Sequence, residues 1–175
     1  MAYIGLISDT HGYFDEKVRK FLEPVDVVWH AGDFGNEATL SEIATFKPLV
    51  CVHGNCDGYD VRDFARASQF FEQDGMTVLM THIGGYPGNY DPSVRSTLFA
   101  NPPQLFIAGH SHILKVKYDK TMVSTNRPQG MLHLNPGAAG LQGWHRDRTL
   151  MRITIDGDIF RDLEVITLSD PRKHE

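Results

Sequence analysis

Aspartate, asparagine and histidine follow five short apolar runs of this sequence, each at the point where the run ends. The five segments are Ser8-Asp9-Thr10-His11, His30-Ala31-Gly32-Asp33, His53-Gly54-Asn55-Cys56-Asp57, Thr81-His82 and Gly109-His110-Ser111-His112. Their imidazole, carboxylate and amide groups together suit Mn, Fe, Zn or Ni rather than a metal that prefers thiolates. A set of this size exceeds one tetrahedral ion but suffices for two ions that share a carboxylate. Two such ions can clamp the attacking and leaving oxygens of a phosphoryl centre.

Each segment taken alone has a simpler explanation as a turn, a helix cap or an exposed histidine. The combination favours one shared site, because four of the chain's 9 histidines, His11, His82, His110 and His112, follow apolar runs together with Asp9, Asp33 and Asn55. The candidate ligands are Asp9, His11, Asp33, Asn55, His82, His110 and His112. The pair His110 and His112 has a spacing of two, which predicts that both side chains lie on the same side of an extended chain.

Alternating strands and helices are predicted to position the first three segments. Apolar runs at 3–8, 25–31 and 49–53 indicate strands. A helical pattern from Phe14 to Leu22 lies between the first two, and a helix with Asn36 as its N-cap lies between the last two. This alternation predicts a parallel sheet, and ligands in such folds bind at the carboxyl ends of the strands.

The rest of the chain is predicted to be richer in strands. Residues 69–82 indicate a hairpin that turns at Asp74-Gly75, and 84–92 indicate a loop. A short helix at 93–101 and a buried strand at 105–110 follow, and four further strands are indicated after Lys115. We therefore expect an α/β fold with two packed sheets and helices outside them.

Composition narrows the function classes. The 175 residues predict one domain over 1–175, and 41% hydrophobic residues are ordinary for a globular protein. The net charge of −5 and the lack of a Lys/Arg-rich block argue against binding of a nucleic-acid polymer. No apolar stretch is long enough for a membrane span. Cys51 and Cys56 make no disulfide framework, which favours a reducing cytoplasmic location.

The ordered set of motifs resembles the calcineurin-like metallophosphoesterases, and most of all their small bacterial and archaeal phosphodiesterase branch, which is related to the retromer sorting subunit. The resemblance is carried by Asp9-x-His11, Gly32-Asp33, Gly54-Asn55-x-Asp57, His82, Gly109-His110-x-His112 and Asn135-Pro136-Gly137. It implies a four-layer sandwich of two facing sheets between helices. It also implies one metal held by Asp9, His11, Asp33 and His112. A second metal would be held by Asp33, Asn55, His82 and His110.

The resemblance implies a binuclear phosphoesterase, most of all a phosphodiesterase, which hydrolyses a small phosphate ester by attack of a metal-bridged hydroxide. Asp33, Asn55 and His110 are the predicted catalytic residues. We expect Mn²⁺, with Ni²⁺, Zn²⁺, Fe²⁺ and Mg²⁺ as alternatives. A protein-interaction scaffold of the same fold and a phosphomonoesterase or nucleotide pyrophosphohydrolase stay open as other functions. A homo-oligomer also stays open, because no residue pattern specifies one.

Two departures from the family pattern concern the leaving group and the substrate. Cys56 stands where many members carry a histidine that is thought to assist the leaving group, so the general acid stays unassigned. The loop after His82 is distinctive: Tyr86, Asn89 or Tyr90 could shape substrate entry, or the loop is a Gly-rich connector, which is the slightly favoured interpretation. Asp57, His30 and His53 are expected to support the ligands from behind. Three further polar residues could contact a phosphate or have only a surface role: Arg95, His145 and Arg146. His133 and His174 carry no functional signal.

Overall fold

Twelve strands and four α-helices make up the computed structural model, which describes residues 1–123, 125 and 127–174. The strands are β1 (Ala2–Ile7), β2 (Val27–His30), β3 (Leu49–Cys51), β4 (Ser68–Gln73), β5 (Met76–Thr81), β6 (Gly85–Tyr86), β7 (Asn89–Tyr90), β8 (Leu105–Ile107), β9 (Lys115–Asp119), β10 (Met131–Asn135), β11 (Arg148–Asp156) and β12 (Ile159–Leu168). The helices are α1 (Glu16–Leu22), α2 (Glu37–Phe46), α3 (Tyr59–Phe64) and α4 (Pro92–Ala100), with short 3₁₀ helices at Lys120–Met122 and Pro171–His174.

Ten of the strands form two five-stranded mixed sheets. The first sheet has the order β12-β11-β1-β2-β3, and β1, β2 and β3 run parallel, as the alternation predicted. The second sheet has the order β4-β5-β8-β10-β9, in which β5, β8 and β10 run parallel. Within each parallel set, the carboxyl ends of the strands lie at the same edge of the sheet. The loops that follow these strands can therefore bring side chains from both sheets to one site.

Apolar side chains from both sheets form the central core. Leu6 and Trp29 of the first sheet pack in the same cluster as Met80 and Ile107 of the second sheet. On the outer face of the first sheet, a second cluster takes side chains from α1, α2 and α3. A third cluster joins α4 to the outer face of the second sheet. The layers are therefore helix, sheet, sheet and helix, and the predicted four-layer fold is confirmed.

Local capping explains where the first two long helices begin. Asn36 adopts an extended conformation, and its side chain accepts a hydrogen bond from the Thr39 amide at 2.8 Å, so the predicted N-cap is confirmed. Asp15 does the same for α1, accepting from the Val18 amide at 3.2 Å. Each cap satisfies an amide that the first helical turn leaves without a partner.

Some predicted boundaries were wrong. The strand predicted at 105–110 ends at Ile107, and the loop predicted at 84–92 contains the two-residue strands β6 and β7, which pair as a small hairpin. Helix α3 was not predicted, because its six residues bury Val61 alone and show no apolar period. Within the described part of the chain, no helix combines the length and the apolar character needed to cross a bilayer.

Candidate metal centre

Loops from the carboxyl ends of five strands converge at one edge of the two sheets. The loops that follow β1 and β2 are joined by hydrogen bonds from the amide of Asp9 to Gly32 O at 2.9 Å and from the amide of His11 to Asp33 O at 3.1 Å. In the second sheet, the amide of Gly109 donates to His82 O at 2.9 Å. The sheets meet where the amide of His110 donates to Asp9 Oδ2 at 3.1 Å. This last bond places the two halves of the site in direct contact.

Six of the seven predicted ligands fall into two groups whose nitrogen and oxygen atoms lie within 4.8 Å of one another. One group contains Asp9, His11 and His112, and the other contains Asp33, His82 and His110. His11 connects the groups, because its Nε2 lies 3.7 Å from Asp9 Oδ1 and 3.6 Å from Asp33 Oδ2. The structure therefore brings together side chains from residues more than a hundred positions apart.

Asn55, the seventh predicted ligand, lies at the rim. Its side chain is exposed, and its Nδ2 lies 3.5 Å from Cys56 Sγ. The next residue is directly tied to the centre, since the amide of Cys56 donates to Asp33 Oδ1 at 2.8 Å. Cys56 Sγ also lies within 4.8 Å of ligand atoms of His11 and Asp33. The loop after β3 thus reaches the site through Cys56, while the side chain of Asn55 stays at the rim.

The backbone at the site is left-handed at most of the ligand positions. Seven non-glycine residues of the described chain have positive φ, and five of them are predicted ligands, with φ between 45° and 65°: Asp9, His11, Asp33, His110 and His112. An L-residue adopts this conformation at a cost of about 1–2 kcal/mol. The geometric argument for His110 and His112 was therefore wrong. They follow the strand on a strained loop, so a strand's period of two does not set the directions of their side chains.

Hydrogen bonding fixes which nitrogen of His82 can bind a cation. Its Nδ1 lies 2.7 Å from Ala31 O, and because a carbonyl only accepts, Nδ1 carries the proton. The neutral ring then turns a lone pair on Nε2 toward Asp33 Oδ2, 3.1 Å away. Two acceptors this close repel each other unless a cation, either a proton or a metal ion, is shared between them. Nε2 of His82 and Nε2 of His11 are both buried without a satisfactory hydrogen-bond partner.

A chain of two histidines orients His112 in the same way. His145 Nε2 donates to Gly140 O at 3.0 Å, so the neutral His145 ring has a lone pair on Nδ1. That lone pair lies 3.1 Å from Nδ1 of His112, which must supply the proton. The free lone pair of His112 is then on Nε2, 3.1 Å from Asp9 Oδ1. Two imidazoles thus face carboxylates with lone pairs, as expected of a site built around cations.

Burial and charge act in opposite directions on the titratable groups. Burial favours the neutral form of Asp9, but the imidazoles of His11 and His112, when the cation between ring and carboxylate is a proton, outweigh burial and hold the pKa of Asp9 far below its usual range. Burial likewise opposes His82, whose hydrogen bond and charge, with a proton on Nε2, leave the pKa of Asp33 lowered. The pKa of His82 is raised, since Asp33 and Asp9 outweigh its burial. Both carboxylates are therefore ionised at neutral pH, as metal ligands must be.

Asp57 supports the site through the backbone. It is buried, and its carboxylate accepts hydrogen bonds from the amides of Asp33 at 2.9 Å, Gly54 at 2.8 Å and Gly35 at 3.0 Å. These bonds tie the loop after β2 to the loop after β3. Gly54 is required here, because a Cβ at this position would lie 2.0 Å from Asp33 Oδ1.

His30 and Asn135 support other parts of the backbone. His30 is fully buried, accepts from the Gly32 amide at 3.1 Å and bonds Thr10 Oγ1 at 3.0 Å, and burial lowers its pKa to about 3. It therefore acts as a neutral spacer between the loops after β1 and β2. Asn135 donates to Gly109 O at 3.0 Å and accepts from the Gly137 amide at 3.0 Å, which explains the Asn135-Pro136-Gly137 motif.

The remaining candidates lie around the centre. Tyr86 lines a cavity that also includes His110, together with Asn89 and Tyr90. Arg95 is turned toward the Tyr90 carbonyl, to which it donates at 2.9 Å, and Arg146 is exposed. His53 is half-buried beside Gly54 O, while the side chain of His174 lies outside the described ones. The orienting role of His145 was not predicted, because nothing in its local sequence relates it to a histidine 33 positions earlier.

A two-sheet sandwich with a cluster of carboxylates and histidines at the carboxyl ends of its strands defines a class of folds that can bind metal ions at that edge. The family model described as the calcineurin-like phosphoesterase superfamily domain matches residues 3–158 of this chain. The chain therefore belongs to the calcineurin-like phosphoesterase superfamily, and the resemblance found in the motifs is confirmed.

Relatives and solved structures agree with this assignment. A protein of Methanothermobacter thermautotrophicus, named a probable metallophosphoesterase, is 30% identical over 173 residues, which cover 96% of this chain and 94% of that protein. A structure described as a novel archaeal phosphodiesterase superposes with a TM-score of 0.69 at 22% identity, covering 95% of this chain and 99% of the other. Vps29 of Chaetomium thermophilum gives a TM-score of 0.69 at 14% identity, covering 98% and 100%. At these identities the two structures show the shared fold.

Proposed function

We propose that this protein is a phosphodiesterase that depends on two divalent metal ions. One ion would be held by Asp9, His11, Asp33 and His112, and the other by Asp33, Asn55, His82 and His110, with Asp33 between them. When bound, such ions acidify a water molecule and neutralise charge on the phosphoryl oxygens. The proposal draws on the family of the chain and on the description of its archaeal structural neighbour as a phosphodiesterase.

The observation that carries the proposal is the orientation of the imidazole lone pairs. Nε2 of His82 and Nε2 of His112 each lie 3.1 Å from a carboxylate oxygen, and their other nitrogens are held by hydrogen bonds. This arrangement is unfavourable without a cation and favourable with one. The donor set of imidazoles and carboxylates suits Mn²⁺, Ni²⁺, Zn²⁺ and Fe²⁺. We propose Mn²⁺, with Ni²⁺, Zn²⁺, Fe²⁺ and Mg²⁺ as alternatives.

The chain's own groups explain how an ester would be held. Two hydrogen bonds fix Asp33. The amide of Cys56 donates to its carboxylate, and its own amide donates to the carboxylate of Asp57. His110 is exposed on the same cluster and reaches toward solvent, where an ester can approach.

Burial and the charge of Asp33 raise the pKa of the Cys56 thiol, so this group is a weak acid that holds its proton at neutral pH. It is a poor donor to an alkoxide, and we infer a preference for esters with acidic leaving groups.

The test is a comparison of rates on nitrophenyl mono- and diesters with Mn²⁺, Ni²⁺, Zn²⁺, Fe²⁺ and Mg²⁺ supplied in turn to metal-free protein. We expect turnover of the diester above the monoester, and a loss of at least a thousandfold in Asp33→Asn with metal present. Asp60→Asn is the matched control, because Asp60 is an exposed residue of α3. Full activity of metal-replete Asp33→Asn would contradict the proposal.

A protein-interaction scaffold is the second candidate, because Vps29 structures share the fold over 95–98% of this chain. One of them, from Entamoeba histolytica, is described as complexed with Zn²⁺, so metal binding alone does not separate the two functions. Metal binding without turnover of any mono- or diester in the comparison above would favour the scaffold.

A further inference from the structure

A cavity of about 390 Å³ opens directly beside the metal cluster. It lies on the outer side of the second sheet, between the β6–β7 hairpin and the loop that follows β8, and its lining includes Tyr86, Ile113, Lys115 and His133. His110 belongs both to this lining and to the metal cluster. A single molecule can therefore place its phosphoryl group at the cluster and another part of its structure in the cavity.

The mouth of the cavity is apolar and aromatic. Tyr86 is 44% exposed and Ile113 is 62% exposed, although both are large hydrophobic side chains. The ring of Tyr86 is held in place, because Lys115 Nζ lies 4.1 Å from its centroid and Asn89 Nδ2 donates to its hydroxyl at 3.3 Å. A fixed aromatic face of this kind offers a flat surface on which a planar group can stack.

The inner wall contributes an acceptor that has no partner. His133 is fully buried, and its Nδ1 donates to Phe106 O at 3.1 Å. Its Nε2 therefore has a lone pair, and this atom is buried without a hydrogen bond in the described structure. Burial lowers the pKa of His133 to about 4, so the ring stays neutral at physiological pH. A buried acceptor without a partner is costly and rare, which points to a donor supplied by a ligand.

We propose that this cavity binds the substituent that a phosphodiester substrate retains, and that this substituent is a planar heteroaromatic ring with an N–H donor, such as a nucleoside base. The ring would stack at Tyr86 and Ile113 and donate toward His133. An aliphatic substituent would use neither the aromatic face nor the acceptor. An anionic substituent would find Lys115 at the mouth but no donor on Nε2 of the neutral His133 at the inner wall. The inference rests on the proposed phosphodiesterase function.

Three nitrophenyl diesters that share one leaving group and differ in the retained group test this inference with Mn²⁺-loaded protein. The retained groups are methyl, phenyl and thymidine 5′-yl. We expect kcat/KM to rise about tenfold from methyl to phenyl and about fivefold more to thymidine, for stacking and for one hydrogen bond. Equal values for the three esters would overturn the inference and leave the phosphodiesterase function standing. No turnover of any ester would overturn the function itself.

Two variants connect the preference to the cavity. Tyr86→Leu should reduce the preference of phenyl over methyl, and His133→Phe should remove the preference of thymidine over phenyl while leaving phenyl over methyl. Tyr118→Leu is the matched control, because Tyr118 is a part-exposed tyrosine of β9 outside this cavity. Circular dichroism verifies that each variant is folded, and if His133→Phe fails to fold, Tyr86→Leu alone decides. An unchanged preference in folded Tyr86→Leu would contradict the inference.

Discussion

Replacing His145 should weaken metal binding although His145 is not itself a predicted ligand. Its Nδ1 accepts the proton of His112 Nδ1, and this bond keeps the lone pair of His112 on Nε2, where it faces Asp9. His145→Leu removes the acceptor, so His112 can place its proton on either nitrogen and its ring can turn. The same variant leaves the carbonyl of Gly140 without its donor, but that group can bind water instead.

The size of the effect follows from the burial of His112. Loss of a group that orients a metal-binding histidine costs about 10- to 100-fold in metal affinity. The side chain of His112 is 16% exposed, so water can partly replace the lost acceptor. We therefore expect the lower end, a loss of about tenfold in Mn²⁺ affinity, or about 1.4 kcal/mol, at the metal position that we propose for His112.

Isothermal titration of metal-free protein with Mn²⁺ measures this effect apart from catalysis. His145→Gln keeps an acceptor and should bind within about threefold of the unaltered protein, whereas His145→Leu should not. Trp144→Leu is the control, because Trp144 is the fully exposed neighbour in the same loop. The reasoning is refuted if His145→Leu binds Mn²⁺ as tightly as the unaltered protein, or if His145→Gln loses as much affinity as His145→Leu.

Two further substitutions test the packing of the loops and the titration of a buried histidine. Gly54→Ala places a Cβ 2.0 Å from Asp33 Oδ1 and 2.5 Å from its amide nitrogen, so we expect Mn²⁺ affinity in the same titration to fall at least tenfold. Gly58→Ala, whose added Cβ meets no atom within 4 Å, should leave the Mn²⁺ affinity unchanged. Equal Mn²⁺ affinities of the Gly54→Ala and Gly58→Ala variants would contradict the steric argument. His133 has a pKa of about 4 when folded against 6.5 unfolded, so below pH 6.5 the unfolded chain binds the extra proton and stability falls as the pH drops toward 4. Between pH 7 and pH 4, the free energy of unfolding, measured with urea, should fall by about 3 kcal/mol less in His133→Phe than in the unaltered protein. Equal decreases in the two proteins would show that protonation of His133 does not cause the loss.

The arrangement of the strands and the residues of the candidate metal centre could both be predicted from the sequence, for related reasons. Parallel strands with intervening helices bring their carboxyl ends to one edge, so Asp9 and Asp33 were expected to meet. The contribution of His82 and His110 depended on a second sheet facing the first, for which the evenly apolar strands were the signal. The directions of the side chains could not be predicted. They depend on left-handed backbone at Asp9, His110 and other positions, which no local residue pattern specifies.

The strained backbone also bears on the choice between an enzyme and a scaffold. Five left-handed residues at about 1 kcal/mol or more each amount to a large share of the 5–15 kcal/mol that stabilises an ordinary domain. Such strain persists only where the surroundings hold it. Here it is held by bonds that need no metal, including the three amides on Asp57 and the bond from His110 to Asp9. These bonds can hold the loops without an ion, so ion binding need not supply all of the free energy that orders them. A scaffold that binds its partner at another surface would gain nothing from backbone strain at this edge. A catalytic metal centre needs the fixed ligand geometry that the strained loops supply.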